Sequence, residues 1–94
     1  MKPGFEWDRH KAKANLEKHK ISFEEATTIF TDPLLLTFPD PLHSDEEERH
    51  LSIGTSVRGR VLIVTHVDRQ SKIRLVSCRK ATASERNRYE ENKN

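Results

Sequence analysis

The chain has 94 residues, 33% of them hydrophobic and 34% charged, with a formal net charge of +2, so we expect one small domain (residues 1–94, core about 5–91) and no histone-like basic arm. The only cysteine, Cys78, excludes an intrachain disulfide and a four-cysteine zinc site. We find no apolar run that could span a membrane and no signal-peptide core, and we therefore expect a cytoplasmic protein without membrane contact.

The N-terminal segment predicts an edge strand followed by a helix. Residues 5–7 alternate in polarity, and Asp8 is a helix N-cap after which a helix should run to about His19. Next comes Lys20, at a position where helices usually place glycine. The sequence therefore predicts either a lysine in the left-handed conformation or a different turn.

A second helix and four strands follow. Ser22 and Glu25 have the spacing of a capping box, which starts a helix near Phe23, and Asp32-Pro33 ends it. From there the hydrophobic period becomes two, which predicts strands over about 34–38, 51–55, 61–67 and 73–79.

The chain ends in a third helix. Thr82 and Glu85 form a second capping box, so this helix should cover about 83–91. The predicted order is β-α-α-β-β-β-β-α, and the short turns between neighbouring strands imply an antiparallel sheet. The expected fold is α+β, a small antiparallel sheet with two N-terminal helices and one C-terminal helix.

Charges of opposite sign are segregated along the chain. Residues 40–48 are acidic, whereas residues 71–94 carry seven cations against three glutamates. A basic surface of this kind suits nucleic acid or an acidic partner, and a solvated, salt-bridged surface is the alternative. Trp7 and Tyr89 are the aromatic side chains that could stack on bases, although packing beside a helix cap is the alternative for Trp7.

Arginines lie on predicted strands, where they are costly unless they are paired or line a cleft. Strict alternation places Arg79 on one face with residues 73, 75 and 77, and Arg74 on the other face with residues 76 and 78. Glu47 and Arg49 are two residues apart and share a side, so Glu47 is the expected partner of one of these arginines. A purely structural ion pair at the sheet margin is the alternative.

Metal-independent RNA cleavage needs a base for the 2′-hydroxyl, an acid for the leaving 5′-oxygen and cations that stabilise the charge on phosphorus. The chain offers all three kinds of group in Lys18, His19, Glu47, Arg49, Arg74, Arg79 and Lys80. Lys18 and His19 could equally complement the dipole of the first helix, and His66 could be a hydrogen-bonded core histidine. We find no metal-ligand spacing and no glycine-rich phosphate loop, so we expect neither metal nor cofactor.

An ordered set of short motifs extends over residues 5–90. Its first half is Phe5-Glu6-Trp7-Asp8, Lys11, Asn15, Lys18-His19, Phe23-Glu24-Glu25-Ala26, Phe30 and Asp32-Pro33. Its second half is His43-Ser44, Glu47-x-Arg49, Ile53-Gly54, Ile73-Arg74, Arg79-Lys80-Ala81-Thr82, Glu85-Arg86 and Tyr89. This set resembles the BrnT toxins. Lys20 stands where that family usually has glycine, and Cys78 where it has alanine.

The resemblance implies the toxin of a type II toxin–antitoxin system, a RelE-like endoribonuclease that arrests translation. It also implies a BrnA-like ribbon-helix-helix antitoxin, bound in a heterotetramer, through which alone the complex reads DNA. The candidate residues are His19, Glu47, Arg49, Arg74 and Arg79 for catalysis and Lys18, Lys80 and Arg86 for RNA binding, with no metal. A second hypothesis is a non-catalytic basic module that docks an antitoxin or a ribosomal surface, and a third is that the charges only solvate the protein.

Overall fold

The computed structural model describes residues 4–40 and 47–92. Most of the acidic segment 40–48 therefore lies outside the described residues. In the described part, no helix is long and apolar enough to cross a bilayer. The predicted order is confirmed, with a short 3-10 turn after the second helix: β1 Gly4–Trp7, α1 Arg9–His19, α2 Phe23–Thr27, the 3-10 turn Thr28–Thr31, β2 Leu36–Pro39, β3 Arg49–Thr55, β4 Val61–Arg69, β5 Lys72–Lys80 and α3 Ala83–Glu91.

The strands form one five-stranded sheet in the order β1-β5-β4-β3-β2. The three pairs β2–β3, β3–β4 and β4–β5 are antiparallel, as expected from their short connections. The N-terminal strand β1 instead pairs with β5 in parallel, so the sheet is mixed rather than purely antiparallel. A parallel partner is possible here because a long connection, most of the chain, separates β1 from β5.

Helix α1 packs on the sheet through a buried asparagine. Strand β1 pairs with β5 only as far as Leu75, so later β5 groups have no β1 partner on that edge. The Asn15 side chain takes over at Cys78, whose backbone N–H donates to Asn15 Oδ1 at 2.9 Å. Asn15 Nδ2 in turn donates to the carbonyl of Ile21 at 3.1 Å. One amide side chain therefore joins α1, the following loop and β5.

The left-handed lysine is confirmed. Lys20 has φ 61° and ψ 33°, and its N–H donates to the carbonyl of Leu16 at 2.9 Å. This bond closes the end of α1 in the way that glycine usually does, at a conformational cost to lysine of about 1 kcal/mol.

A β-bulge in β5 changes the predicted faces. Leu75 faces His66 and Ser77 faces Thr65, so Val76 has no facing residue on β4. The extra residue reverses the alternation beyond it, because successive side chains point to opposite sides of a sheet. The prediction that Arg79 shares a face with residues 73 and 75, opposite Arg74, is therefore wrong. Arg74 and Arg79 lie on the same face, and Cys78 joins Leu75 on the other.

The sheet has two differently covered sides. The helix face carries α1 and α2 and buries Ile21, Phe23, Ala26, Ile29, Leu62, Val64, Leu75 and Cys78. We call the other side the arginine face, because Arg49, Arg74 and Arg79 project from it. A smaller cluster on that face packs α3 against the sheet through Ile53, Ile63, Ala81 and Tyr89. The chain therefore builds its main core on one side and leaves part of the other open.

Glu25 is a buried carboxylate that ties α2 to the β3–β4 hairpin. Its side chain is 5% exposed and accepts hydrogen bonds from the guanidinium of Arg60 and from Ser56 Oγ, the latter at 2.7 Å. The bond from Arg60 lowers the pKa of Glu25 against the opposing effect of burial. Ser22 Oγ accepts the N–H of Glu25 at 3.0 Å, so the backbone half of the predicted capping box is present.

We expect Glu25→Gln to reduce the free energy of unfolding at pH 7 by about 3 kcal/mol, because it leaves the partly buried Arg60 without its counter-charge. A carboxyl whose pKa is lowered by folding stabilises the protein above its unfolded pKa, and this contribution is lost as pH falls through the folded value. The difference between wild type and variant, measured by urea unfolding, should therefore shrink below pH 4.5.

The matched control is Glu24→Gln, which neutralises the exposed neighbour on the same helix and should leave stability unchanged. Equal unfolding curves for wild type and Glu25→Gln at pH 7 would contradict the prediction.

Candidate functional site on the arginine face

Three of the predicted site residues lie on one face. Arg49 on β3 and Arg74 on β5 both face Val67 on the strand between them. Their Cα atoms are thus about 10 Å apart, two strand spacings. Arg79 faces Ile63 on the same side, about 13 Å further along the sheet by strand rise. Arg49 and Arg74 therefore mark one end of the face and Arg79 the other.

Glu47 belongs to the first end, and its direct partner is Arg69 rather than Arg49, Arg74 or Arg79. Arg69 Nε and Nη2 donate to the two Glu47 oxygens at 2.6 Å and 2.5 Å. These bonds are the main reason that the pKa of Glu47 is lowered, and the charges of Arg74 and Arg49 lower it further. Three guanidinium groups thus act on one exposed carboxylate, which is fully ionised at neutral pH.

A second carboxylate shares this end. Arg74 Nη1 donates to Glu6 Oε2 at 3.2 Å, and Arg69 Nη1 is 3.9 Å from the same oxygen. Lys72 Nζ is 4.0 Å from Glu6 Oε1. The Arg74 side chain remains 34% exposed, so an incoming anion can still reach it.

The other end holds a bidentate pair. Arg79 Nη1 and Nη2 donate to the two Glu85 oxygens at 2.8 Å and 2.9 Å. The pKa of Glu85 falls to about 2, first because of Arg79 and also because the backbone N–H of Thr82 donates to it. Thr82 and Glu85 form both halves of the predicted capping box at the start of α3. Arg79 is therefore held by the same residue that caps the helix, and its side chain is 43% exposed.

A shallow trough connects the two ends. One open depression of about 370 Å³ is lined by Asp40, Arg49, Leu51, Thr65, Val76 and Ser77. A second, of about 310 Å³, is lined by Phe38, Leu51, Ile53, Ile63, Glu85 and Arg88. The two share Leu51, and the guanidinium of Arg88 stacks over the Phe38 ring at 4.6 Å from its centroid. Each depression has one carboxylate and one guanidinium in its lining, Asp40 and Arg49 in the first and Glu85 and Arg88 in the second, and the rest of the second is apolar.

The remaining predicted site residues are not brought together with these arginines. Lys18 and His19 form the last turn of α1, the helix that packs on the opposite, helix face. Lys80 is exposed at the end of β5, where it faces Leu62 of the helix face. Arg86 is exposed on α3, which packs over the arginine face.

Both aromatic candidates for base stacking pack inside the protein. The Trp7 ring meets Phe23 edge-on at a centroid distance of 5.8 Å. Tyr89 is 1% exposed, and its hydroxyl bonds to Thr55 Oγ1 and Asp32. Trp7 therefore packs beside the helix, which was the alternative to stacking on bases. The prediction that Tyr89 could stack on bases is wrong, because its ring is buried. Cys78 is also buried, which raises the pKa of its thiol to about 12.

The helix face holds a cluster with a different chemistry. One ring nitrogen each of His50 and His66 and a carboxylate oxygen of Asp68 lie within 4.8 Å of one another. His66 is buried and hydrogen-bonded, as expected, with Nε2 2.8 Å from Ser52 Oγ and Nδ1 3.1 Å from Asp68 Oδ1. Burial lowers the pKa of His66, so its ring is neutral at neutral pH. These three groups are the described residues that could hold a metal ion.

Sequence reasoning missed several members of the arginine face. Glu6 and Arg69 meet Arg74 and Glu47 only through strand pairing, and Asp40 reaches the trough from a turn whose sequence carries no functional signal. The available signal for Glu85 was its capping-box spacing, which predicted its role in the helix but not its bond to Arg79.

Comparison with known proteins agrees with this architecture. Residues 7–85 match the family model described as "Ribonuclease toxin, BrnT, of type II toxin-antitoxin system". The chain belongs to the BrnT family. The matched range runs from the last residue of β1 to the first turn of α3 and contains Arg49, Arg74, Arg79 and Glu85. BrnT proteins are ribonuclease toxins of type II toxin–antitoxin systems, and membership of the family assigns this general function to the chain.

A solved structure has the same fold. The 1.1 Å crystal structure of the Brucella abortus ribonuclease toxin, BrnT, matches with a TM-score of 0.68 and 22% sequence identity, over 85% of this chain and 97% of that chain. At this identity the likeness supports the BrnT fold and not particular site residues. No curated protein sequence matches the chain.

Proposed function

We propose that this chain is a metal-independent endoribonuclease that arrests translation by cutting RNA on its arginine face. The observation that carries the proposal is the presence of Arg49, Arg74 and Arg79 on one open side of the sheet, where strand pairing places Arg49 and Arg74 and the bulge at Val76 adds Arg79. Arginine suits this task because its planar guanidinium binds phosphate oxygens in pairs. An RNA substrate also makes the cytoplasm the expected place of action.

In the proposed reaction the 2′-oxygen attacks phosphorus and the bond from phosphorus to the 5′-oxygen breaks. A base takes the 2′-hydroxyl proton, an acid supplies a proton to the 5′-oxygen, and the products are a 2′,3′-cyclic phosphate and a 5′-hydroxyl. Arg49 and Arg74 would hold the reacting phosphate and stabilise its growing charge. Arg79 and Arg86 would bind the RNA backbone away from the scissile bond. Lys18 and Lys80, which lie on the side of the helix face, would contact RNA only where it passes round the edge of the sheet.

Glu47 is the favoured base. It is an ionised carboxylate close to Arg74 and Arg49 on the arginine face. The bonds from Arg69, which lower its pKa, weaken it as a base, so a bound RNA must draw Arg69 away for full basicity. His19 is the second acid–base candidate, and its position at the end of α1 favours a role at the margin of the RNA rather than at the phosphate. Glu47→Gln should therefore impair cleavage more than His19→Gln. Arg69→Gln, which breaks the same ion pair and keeps the carboxylate, separates loss of the base from loss of the pair.

Purified protein is expected to cleave labelled RNA in excess chelator and to leave 2′,3′-cyclic phosphate ends. The reason is that arginine side chains, and not a bound ion, stabilise the charge in the proposed mechanism. The ends are identified by their resistance to a phosphatase until acid opens the cyclic phosphate. Cleavage that stops in chelator and returns with added Mg²⁺ would contradict metal independence.

Arg74→Ala should lower the cleavage rate by about 100-fold or more, as expected for loss of a group that stabilises the transition state. Arg79→Ala should instead weaken RNA binding and slow cleavage at low RNA concentration, and both variants should lose growth arrest. The matched variants are Glu6→Gln and Glu85→Gln, which remove the partner's charge and keep each arginine. Glutamine also preserves the capping box of α3. These two variants should cleave within a few-fold of wild type, with melting temperatures checked for all four.

If the glutamine variants lose activity as fully as the alanine variants, the arginines act through their ion pairs and the proposed site is wrong.

A second candidate function is a non-catalytic module that docks an acidic partner. It is favoured by the existing pairs of Arg74 and Arg79 with carboxylates, since an antitoxin carboxylate could take the same positions. Tight retention of intact RNA, or of the antitoxin alone, would support that candidate.

We further propose a BrnA-like ribbon-helix-helix antitoxin as the partner, bound in a heterotetramer and alone responsible for DNA contact. The second part of the trough, lined by apolar side chains together with Glu85 and Arg88, offers the mixed surface that a protein partner needs. Co-expression and light scattering should give the mass of two toxins and two antitoxins. The free toxin should not shift operator DNA, and a toxin that binds the operator alone would contradict this assignment.

A further inference from the structure

The His50, His66 and Asp68 cluster is built by strand pairing. His50 on β3 directly faces His66 on β4, and Asp68 lies two residues further along β4 on the same side. A facing pair and its diagonal neighbour bring three side chains over one point of a sheet. The two imidazole rings stack with a centroid separation of 5.7 Å and an interplanar angle of 21°. The two rings are therefore nearly parallel, and the Asp68 carboxylate contacts the edge of the His66 ring.

One nitrogen of this cluster lacks a hydrogen-bond partner. His50 Nδ1 is buried and has no partner among the described residues, and the other ring nitrogen, Nε2, is 3.9 Å from Glu48 Oε1. Leaving a buried polar atom in this state is energetically costly. A histidine with such an atom, next to a second imidazole and a carboxylate, needs an explanation, and a bound cation supplies one.

The second imidazole is already oriented for metal binding. His66 Nε2 is 2.8 Å from Ser52 Oγ, which is itself 2.8 Å from Thr37 Oγ1. A hydroxyl that fixes the distal nitrogen of a ligating histidine is a usual second-shell partner. His66 Nδ1 is 3.1 Å from Asp68 Oδ1, close to the separation of about 3.3 Å between two ligands of a tetrahedral zinc ion. A metal ion can therefore replace the proton shared by these two atoms.

We propose that His50, His66 and Asp68 bind one divalent transition-metal ion, with Zn²⁺ the best match. Two imidazoles and one carboxylate are ordinary zinc ligands, and three protein ligands leave the fourth position to water. Access is from the Asp68 side, whose carboxylate-bearing side chain is 58% exposed while that of His66 is 3% exposed. The soft thiol of Cys78 plays no part, because it is buried in the apolar core on the same face.

The expected role of the ion is to clamp β3 to β4 rather than to cut RNA. The three ligands lie on the helix face, whereas Arg49, the neighbour of His50 along β3, projects from the arginine face. The ion is thus separated from the proposed phosphate site by the thickness of the sheet. Metal binding and metal-independent cleavage are therefore compatible, and each is tested without the other.

Isothermal titration of the chelator-treated chain with ZnCl₂ should show that one equivalent binds. Thermal unfolding should show a higher melting temperature for the zinc-bound form. His50→Gln and Asp68→Asn should each weaken binding by at least tenfold and remove the thermal shift. Ser52→Ala should weaken it about tenfold through the second shell. The controls His10→Gln and His19→Gln change histidines of α1 and should bind as wild type does.

Imidazole signals in ¹H–¹⁵N spectra add a readout that does not depend on stability. Zn²⁺ should move the signals of His50 and His66 and leave those of His10 and His19 in place. The proposal is overturned if no equivalent of zinc binds, if His50→Gln and Asp68→Asn bind as tightly as wild type, or if the moving signals belong to the α1 histidines. None of these measurements uses RNA, so the outcome is independent of the proposed cleavage.

Discussion

A single residue without a facing partner on β4, Val76, determines that Arg79 joins Arg49 and Arg74 on one side of the sheet. Beyond it β5 continues with its alternation reversed, so Arg79 emerges on the same side as Arg74 and Cys78 turns inward. With regular pairing, Arg79 would point into the core beneath α1, where its guanidinium would have to be desolvated. The bulge avoids that cost and at the same time assembles a cationic face. Bulges are common beside functional sites for this reason.

The two sides of the sheet then take different duties. The helix face buries large apolar side chains from α1 and α2 and supplies most of the stability of a small domain. Among the described residues, α3 alone covers the arginine face, and carboxylates of the protein pair with the guanidinium groups of its open part. Such pairs hold Arg74 and Arg79 in place, and in the proposed reaction an RNA phosphate would exchange with Glu6 or Glu85 instead of ordering mobile side chains. Membership of a ribonuclease toxin family gives that face its natural interpretation.

Local rules predicted most of the fold, because its signals are local. Asp8 and Thr82 act as helix caps where their spacing places them, and alternation located the strands. The failures have non-local causes. The parallel pairing of β1 depends on a strand 68 residues away along the chain. The bulge has no signature in the sequence of β5, whose nine residues fit an alternating pattern with or without the extra residue. Glu25 shows the same limit, since its capping spacing was visible but its burial against Arg60 was not.

For the site, residue types were predictable and partners were not. Arg49, Arg74 and Arg79 stood out because cations on strands are expensive, a cost that can be read from sequence. Their carboxylates come from β1, the segment before β3 and the start of α3, and only the register identifies them. The cluster of His50, His66 and Asp68 could not be predicted for the same reason. Its side chains come from facing positions on two strands, which no spacing along the sequence reveals.

The parallel pairing of the first and last strands has a consequence for biosynthesis. Glu6 leaves the ribosome long before Arg74, with which it pairs across 68 positions, and β4 likewise waits for β5. A nascent chain truncated before residue 72 therefore lacks two of the three arginines and the neighbour of its N-terminal strand. The cationic surface is therefore complete only after β5 has been synthesised, so a shorter polypeptide lacks the face on which the proposed cleavage depends.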